Sequence, residues 1–307
     1  MTSSAQSVSP AEIRIRESRV DQIFNLVNYT ILTIFLLAVL YPLIYVVSAS
    51  FSDGAAVISG RVVLWPVDFS LLAYKKIFEY DSIWSGYANS LFYAVVGTGV
   101  NIILTLFAAY PLSRRDLYGR KALMGIFVFT MFFNGGLIPT YLLVKDLGML
   151  NTRTAMIIPQ ALSVWNLIIA IAYFRSSIPE ELLEAAHLDG CSDFQYFFRI
   201  LLPLSTPIIA VLTLFYAISH WNQYFTALIY LSDKDLFPLQ LILRDILIQS
   251  QVDMNMMEDL QSMAAKEALR ELLKYALIVV ASVPVLIIYP FVQKYFVRGI
   301  MLGAIKG

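Results

Sequence analysis

Residues 177 to 190 read Ser177-Ile178-Pro179-Glu180-Glu181-Leu182-Leu183-Glu184-Ala185-Ala186-His187-Leu188-Asp189-Gly190, a charged, helix-forming stretch between two long runs that carry no charge. Ser177 with Glu180 three residues on has the form of a capping box. Pro179 suits a first helical turn, and Glu180 and Glu181 complement the positive end of the helix dipole. Gly190 stands where a helix closes through a left-handed residue. Beyond it, Ser192 and Gln195 offer a second capping box, and Phe194, Phe197, Phe198 and Leu201 recur at i, i+3, i+4 and i+7 before Pro203. The reading is a helix, a sharp turn and a second helix with one apolar face. A plain connection between two helices could be shorter and less regular, so the segment looks built to dock into something.

The charge-free runs on either side, 154 to 174 and 200 to 232, belong to a set of six; the others are 22 to 52, 82 to 113, 122 to 144 and 275 to 293. A helix crosses a hydrocarbon core of about 30 Å with roughly 20 apolar residues, and lipid tolerates only an internally hydrogen-bonded backbone. The composition agrees: 59% of the chain is hydrophobic and 14% charged, against about 25% charged in soluble domains. The expectation is an all-α membrane protein with six transmembrane helices near 23–50, 84–112, 122–144, 154–174, 204–231 and 272–295. They make one transmembrane domain from 21 to 298, with the helical loop at 175–203 and tails at 1–20 and 299–307. Ser48-Ala49-Ser50 imitates a signal-peptide cleavage site, but the apolar run before it is far longer than a 7–15-residue signal core, so it reads as a retained helix.

Arg14, Arg16 and Arg19 precede the first helix, and Arg114, Arg115, Arg120 and Lys121 crowd the loop between the second and third. Positive charge stays on the cytoplasmic side, so the expected topology is N-in/C-in with the 175–203 loop in the cytoplasm. The outward loops contain two stretches, Leu71 to Phe78 and Asp235 to Ile248, with the apolar periodicity of short amphipathic helices. These read more simply as packing on the chain's own helices than as membrane-surface or partner helices. A net charge of zero argues against a nucleic-acid partner, and the single Cys191 excludes an internal disulfide.

Several chemistries find no support in the residues. None of the fourteen glycines is followed by Lys-Ser or Lys-Thr, so there is no phosphate-binding loop; nor is there a G-x-S-x-G elbow or a metal-ligand cluster. A secondary transporter, the rival from another class, predicts charged residues in the spans and an inverted repeat, and neither is visible. His187 and His220 have no acidic partner within a span to serve a proton relay.

At the 175–203 loop the chain resembles a known family. Glu184-Ala185-Ala186, three residues, Gly190, nine residues, Ile200, one residue and Leu202-Pro203 is similar to the EAA motif of ABC importer permeases, with Asp189 and Pro207 fitting its extended form. Asn89-Ser90-Leu91, Asn134-Gly135-Gly136-Leu137-Ile138-Pro139, Trp221-Asn222-Gln223-Tyr224 and the tail Gly299-Ile300-Met301-Leu302-Gly303-Ala304-Ile305-Lys306-Gly307 resemble the carbohydrate uptake type 1 importers, on the MalG-like side of the pair and closer to the LplC/YtcP group. The resemblance implies a type I ABC importer permease fold. It also implies a coupling helix, seated in a cleft of a cytoplasmic ATPase, made by Glu184, Ala185, Ala186, Asp189 and Gly190 with Leu202 and Pro203. Small alanines allow close approach, Glu184 can pair with a basic partner group, and Gly190 permits the turn. On this reading the chain binds no cofactor itself; ATP and Mg belong to the partner ATPase.

The implied partners are a sister permease in a heterodimer, an ABC ATPase dimer, an extracytoplasmic solute-binding protein, a carbohydrate substrate and membrane lipid, in a bacterial inner or plasma membrane. A permease for a non-sugar solute is the nearer alternative, since the EAA loop does not separate solutes. Asn134 and Gly135 sit where glycines and Pro139 break the third helix, and freed backbone groups at membrane depth are tolerated only against protein or a cavity. They are candidates for the substrate path. Trp221, Asn222, Gln223 and Tyr224 fall about 20 residues, or roughly 30 Å, into the fifth helix; a sugar path and an interfacial aromatic belt both fit them.

Overall fold

The computed structural model describes residues 18–252 and 260–304, and among these there is no strand. Ser18 closes a capping box with Asp21, its hydroxyl accepting from the Asp21 N–H at 3.1 Å, so α1 (Arg19–Ser50) begins inside the expected tail. The remainder of that tail, residues 1–17, lies outside the described residues. Only Ser48, Ala49 and Ser50 of α1 are buried. Its most apolar window is 0% buried, so lipid or another chain must cover it.

Two short helices, α2 (Gly54–Ile58) and α3 (Leu72–Phe78), lead into α4 (Asp81–Phe92), a π turn (Tyr93–Gly97) and α5 (Thr98–Ser113), which run on as one span. At about 1.5 Å per residue that span reaches some 50 Å, longer than a hydrocarbon core. The third expected helix is not one helix. It is α6 (Arg120–Phe132) and α7 (Leu137–Asp146), bent by 111°. Gly136 sits at φ 84°, ψ −179°, a conformation essentially reserved for glycine, and its N–H donates to the Asn134 side chain at 3.0 Å. The fourth span divides into α8 (Arg153–Ile157), with a 3₁₀ turn to Gln160, and α9 (Val164–Ser177), bent by 51°.

The fifth span also differs from expectation. After α10 (Glu180–Leu188) come α11 (Asp193–Tyr196), a second π turn (Phe197–Leu201) and α12 (Leu202–Leu204), then α13 (Thr206–Trp221) at 79° to them. Pro203 and Pro207 remove two backbone donors around Ser205. The helix stops at Trp221, and α14 (Phe225–Tyr230) is separate, so the expected end at 231 is too late. The last helices are α15 (Leu239–Val252) and α16 (Leu260–Ala304). The latter is 45 residues long and passes through Pro284 and Pro290. It starts before the expected 272 and carries helix into the supposed tail, of which residues 305–307 lie outside the described residues.

Among the described residues four hydrophobic cores hold these elements, two of them large. One joins Ala73 and Ile77 of α3 and Leu239, Ile242, Leu243 and Ile246 of α15 to Leu272, Ala276, Leu277 and Val280 of α16. The amphipathic segments of the long loops therefore pack on the chain itself; each such buried aliphatic is worth roughly 1.5–3 kcal/mol. The other core joins Leu106 and Ala109 of α5, Leu167, Ile171 and Phe174 of α9, and Ile208 and Leu212 of α13 to Ala186, Tyr196, Phe197 and Leu201 of the hairpin.

Candidate functional site

Helix α10 does not start as its sequence suggests. Ser177 is the last residue of α9, Pro179 takes the N-cap position with no side-chain acceptor, and the Ser177–Glu180 box does not form. Glu180 and Glu181 in the first turn support the helix through its dipole. The far end follows expectation. Gly190 has φ 77°, its N–H bonds to the His187 carbonyl at 3.0 Å, and the Cys191 N–H bonds to the Ala186 carbonyl at 2.9 Å, which together make a Schellman closure. Ser192 and Gln195 then form their capping box.

This turn sorts the motif residues. Ala186 is buried against the second core, whereas Glu184, Ala185, Asp189 and Gly190 are exposed; Leu202 is half-buried and Pro203 exposed at the kink. Sequence reasoning missed Leu188, an apolar side chain 89% exposed immediately before the turn. The supposed apolar face of the second helix is also divided. Phe197 and Leu201 are buried with Tyr196, while Phe194 and Phe198 face outward, because the π turn shifts the register.

The basic loop after α5 reaches the hairpin. The Arg114 guanidinium donates to Asp193 on the hairpin, to both Asp116 oxygens at 2.9 and 2.5 Å, and to the Tyr110 hydroxyl at 3.2 Å. Hydrogen bonding from Arg114 holds the Asp116 carboxyl below its ordinary range. At Asp193 partial burial works the other way, but the hydrogen bond and charge of Arg114 prevail and the carboxyl again lies low. Arg115 approaches Glu180 at 3.5 Å, and His187 Nε2 lies 3.4 Å from Asp193. Arg175 ties off the end of α5 by donating to the Leu112 and Ser113 carbonyls at 2.7 and 3.2 Å. The hairpin is thus fastened to α5 and α9 while its turn stays free. A cleft of about 510 Å³ opens beside this clasp, walled in part by Arg115, Arg175 and Pro179.

The candidate path residues are not brought together. Asn134 and Gly135 are exposed in the break between α6 and α7. Trp221 is a core residue, 6% exposed, and its indole N–H donates to the Ala281 carbonyl at 2.9 Å. Its one polar group is thus engaged within the chain. Asn222 and Tyr224 are exposed at the end of α13. Gln223 is buried and joins a polar network, its amide donating to Gln160 Oε1 at 2.8 Å and its oxygen 3.4 Å from His220 Nδ1. His220 Nε2 lies 2.7 Å from Asn101 Oδ1 beside a polar cavity of about 330 Å³. The Asn89-Ser90 pair is structural as well: the Asn89 amide donates to the Asp235 carbonyl at 2.7 Å, and the Ser90 hydroxyl accepts from the Leu239 N–H at 2.8 Å.

Comparison with known proteins meets this geometry from outside. The model of the binding-protein-dependent transport system inner membrane component family matches residues 101–302. The polygalacturonan/rhamnogalacturonan transport system permease protein YtcP of Bacillus subtilis (strain 168) is 45% identical over 288 residues, covering 94% of this chain and 99% of YtcP. Protein LplC of the same organism is 39% identical over 298 residues, covering 97% of this chain and all of LplC. A chain in the crystal structure of a bacterial ABC transporter involved in the import of the acidic polysaccharide alginate superposes with a TM-score of 0.79 at 40% identity, covering 92% of this chain and 99% of that one. The matched family is one of transport components, not of enzymes. The exposed, clasped hairpin and the matched spans have one explanation: this chain belongs to the binding-protein-dependent transport system inner membrane components, the membrane-embedded permease subunits of ABC importers.

Proposed function

We propose that this chain is one of two dissimilar permeases in a bacterial importer of oligosaccharides rich in uronic acids, with its termini and hairpin in the cytoplasm. The observation that carries the coupling half is the hairpin: Ala186 anchors α10 to the permease core, while Glu184, Ala185, Leu188 and Asp189 are left facing outward. A partner ATPase would seat on that face, bind ATP and Mg itself, and pull the hairpin. Because Arg114 joins the hairpin to the loop after α5, movement of one is movement of the other. A sister permease would cover α1, and a solute-binding protein would deliver substrate at the end held by α3 and α15. The substrate class is supported by the names of YtcP and of the alginate transporter, whose polysaccharides are both acidic.

The test begins with the tagged chain purified in mild detergent and its companions identified by mass spectrometry. Recovery of a second permease and an ABC ATPase is expected, with the ATPase lost from a Glu184→Arg variant that still inserts. A chain that purifies alone under gentle conditions refutes the coupling role. Cells carrying the complex should take up galacturonate oligomers, and uptake of neutral sugars only would overturn the acidic assignment.

A further inference from the structure

The polar cavity beside His220 is closed at its back and unsatisfied at its front. At the back, the Asn101 amide donates to the Gln160 carbonyl at 2.6 Å while Asn101 Oδ1 meets His220. The Tyr216 hydroxyl lies 2.6 Å from the Thr105 hydroxyl and accepts from the Ser163 N–H at 3.3 Å. At the front, Asn166 is 6% exposed and lines the cavity, yet its side-chain amide makes no hydrogen bond among the described residues, while its backbone N–H donates to the Ser163 hydroxyl. The exposed hydroxyl of Ser219 and the 39%-exposed ring of Phe215 complete that side.

Asn101 lies about 12 residues, or ~18 Å, from the hairpin end of α5, which is near the middle of a ~30 Å core. An unbonded amide at that depth costs several kcal/mol unless something polar reaches it. The volume sits at the low end of the ~300–1,000 Å³ of ligand pockets, which suits a single ring rather than a chain. A pyranose offers one C–H face for an aromatic ring and a rim of hydroxyls for an amide and a serine. Among the described residues no Asp, Glu, Lys or Arg lines the cavity.

We propose that this cavity is a transit site for one sugar ring of the translocated oligosaccharide, held through its hydroxyls by Asn166 and Ser219 and stacked on Phe215. The proposal rests on the sugar-importer reading and adds to it: the site ignores carboxylates, so acidity must be selected elsewhere in the assembly.

The test uses the full complex of both permeases, ATPase and binding protein in proteoliposomes, with Cys191→Ser as background. A charged methanethiosulfonate should modify an Asn166→Cys thiol at least about ten-fold faster than an Ile103→Cys thiol on the exposed face of α5, and galacturonate oligomers should slow that reaction. Asn166→Leu should lower sugar moved per ATP hydrolysed by about ten-fold, roughly the effect of one lost hydrogen bond, and Asn166→Gln should recover part of it. An unreactive thiol at 166 would mean that the sister chain seals the cavity, and it overturns the proposal. So does a reactive thiol that sugar does not protect, or an unchanged transport ratio in Asn166→Leu. If the wild-type complex moves no oligosaccharide, acidic or neutral, the importer reading itself fails; wild-type uptake with an indifferent Asn166→Leu sinks the cavity alone.

Discussion

Replacing Gly97 by alanine should damage this protein far more than the same change at Gly99, two residues along. Gly97 has ordinary helical torsions, φ −60° and ψ −47°, so alanine brings no backbone strain. Space is the obstacle. A Cβ at Gly97 would lie 2.4 Å from His220 Nε2 and 2.5 Å from its Cε1. The imidazole cannot swing aside freely, because it is 2% exposed and bonded to Asn101. Overpacking of this kind costs about 1–3 kcal/mol, and a hydrogen bond lost within a membrane protein adds about 0.6–1.7 kcal/mol. The expected loss is thus about 2–5 kcal/mol. At Gly99 nothing lies within 4 Å of the added carbon, and alanine there gains up to ~1 kcal/mol of helix propensity. Reversible unfolding of the purified chain in mixed micelles, titrated with sodium dodecyl sulfate, reads both. A Gly97→Ala variant within about 0.5 kcal/mol of wild type would refute the close packing of His220 on the π turn.

Other outcomes follow from the hairpin and the core. Trp221→Ala should cost about 3–5 kcal/mol in the same titration without changing the preference among sugars. Gly190→Ala should cost about 1–2 kcal/mol from its left-handed backbone alone, since its Cβ would meet nothing; a larger loss of ATPase recovery would place the partner against that turn. Leu188→Asp should leave unfolding within about 0.5 kcal/mol and still reduce co-purified ATPase several-fold. Asp193→Asn should loosen residues 180–204, read by faster amide hydrogen exchange. Because Asp193 and Asp116 both lie below their ordinary value of 3.8, the clasp contributes fully above that value and is lost as pH falls through the lower folded-state value. The gap between wild type and Asp193→Asn should therefore close in strong acid.

The spans were legible because charge is absent over runs long enough to cross a bilayer, and the hairpin was legible because Gly190 and the Ser192–Gln195 box are local signals. The bends were less so. Asn134-Gly135-Gly136 announced a break but not an angle of 111°, since the angle depends on what surrounds α6 and α7. The end of helix five was misplaced because Asn222 and Gln223 carry no charge and leave the apolar run unbroken. The burial of Trp221 has a tertiary cause, the Ala281 carbonyl some sixty residues away, which no local pattern reports. The clasp at Arg114 joins residues 79 apart, and the cavity joins three spans; no periodicity reports either.

The two π turns carry a consequence for how such a chain can change over generations. A π turn holds one residue more than the α-helix it interrupts, so Tyr93–Gly97 and Phe197–Leu201 are places where the polypeptide can shorten by a single codon without breaking a helix. Because the turn absorbs its extra residue locally, that loss would leave the helices on either side facing nearly as before, whereas a deletion in regular α-helix turns one side by about 100° against the other. A residue lost at the first turn would leave Asn89 and Ser90 on their faces, and one lost at the second would leave the hairpin aligned with the span that follows. In this architecture the two π turns are the positions within these helices where length can change while the exposed hairpin surface keeps its orientation.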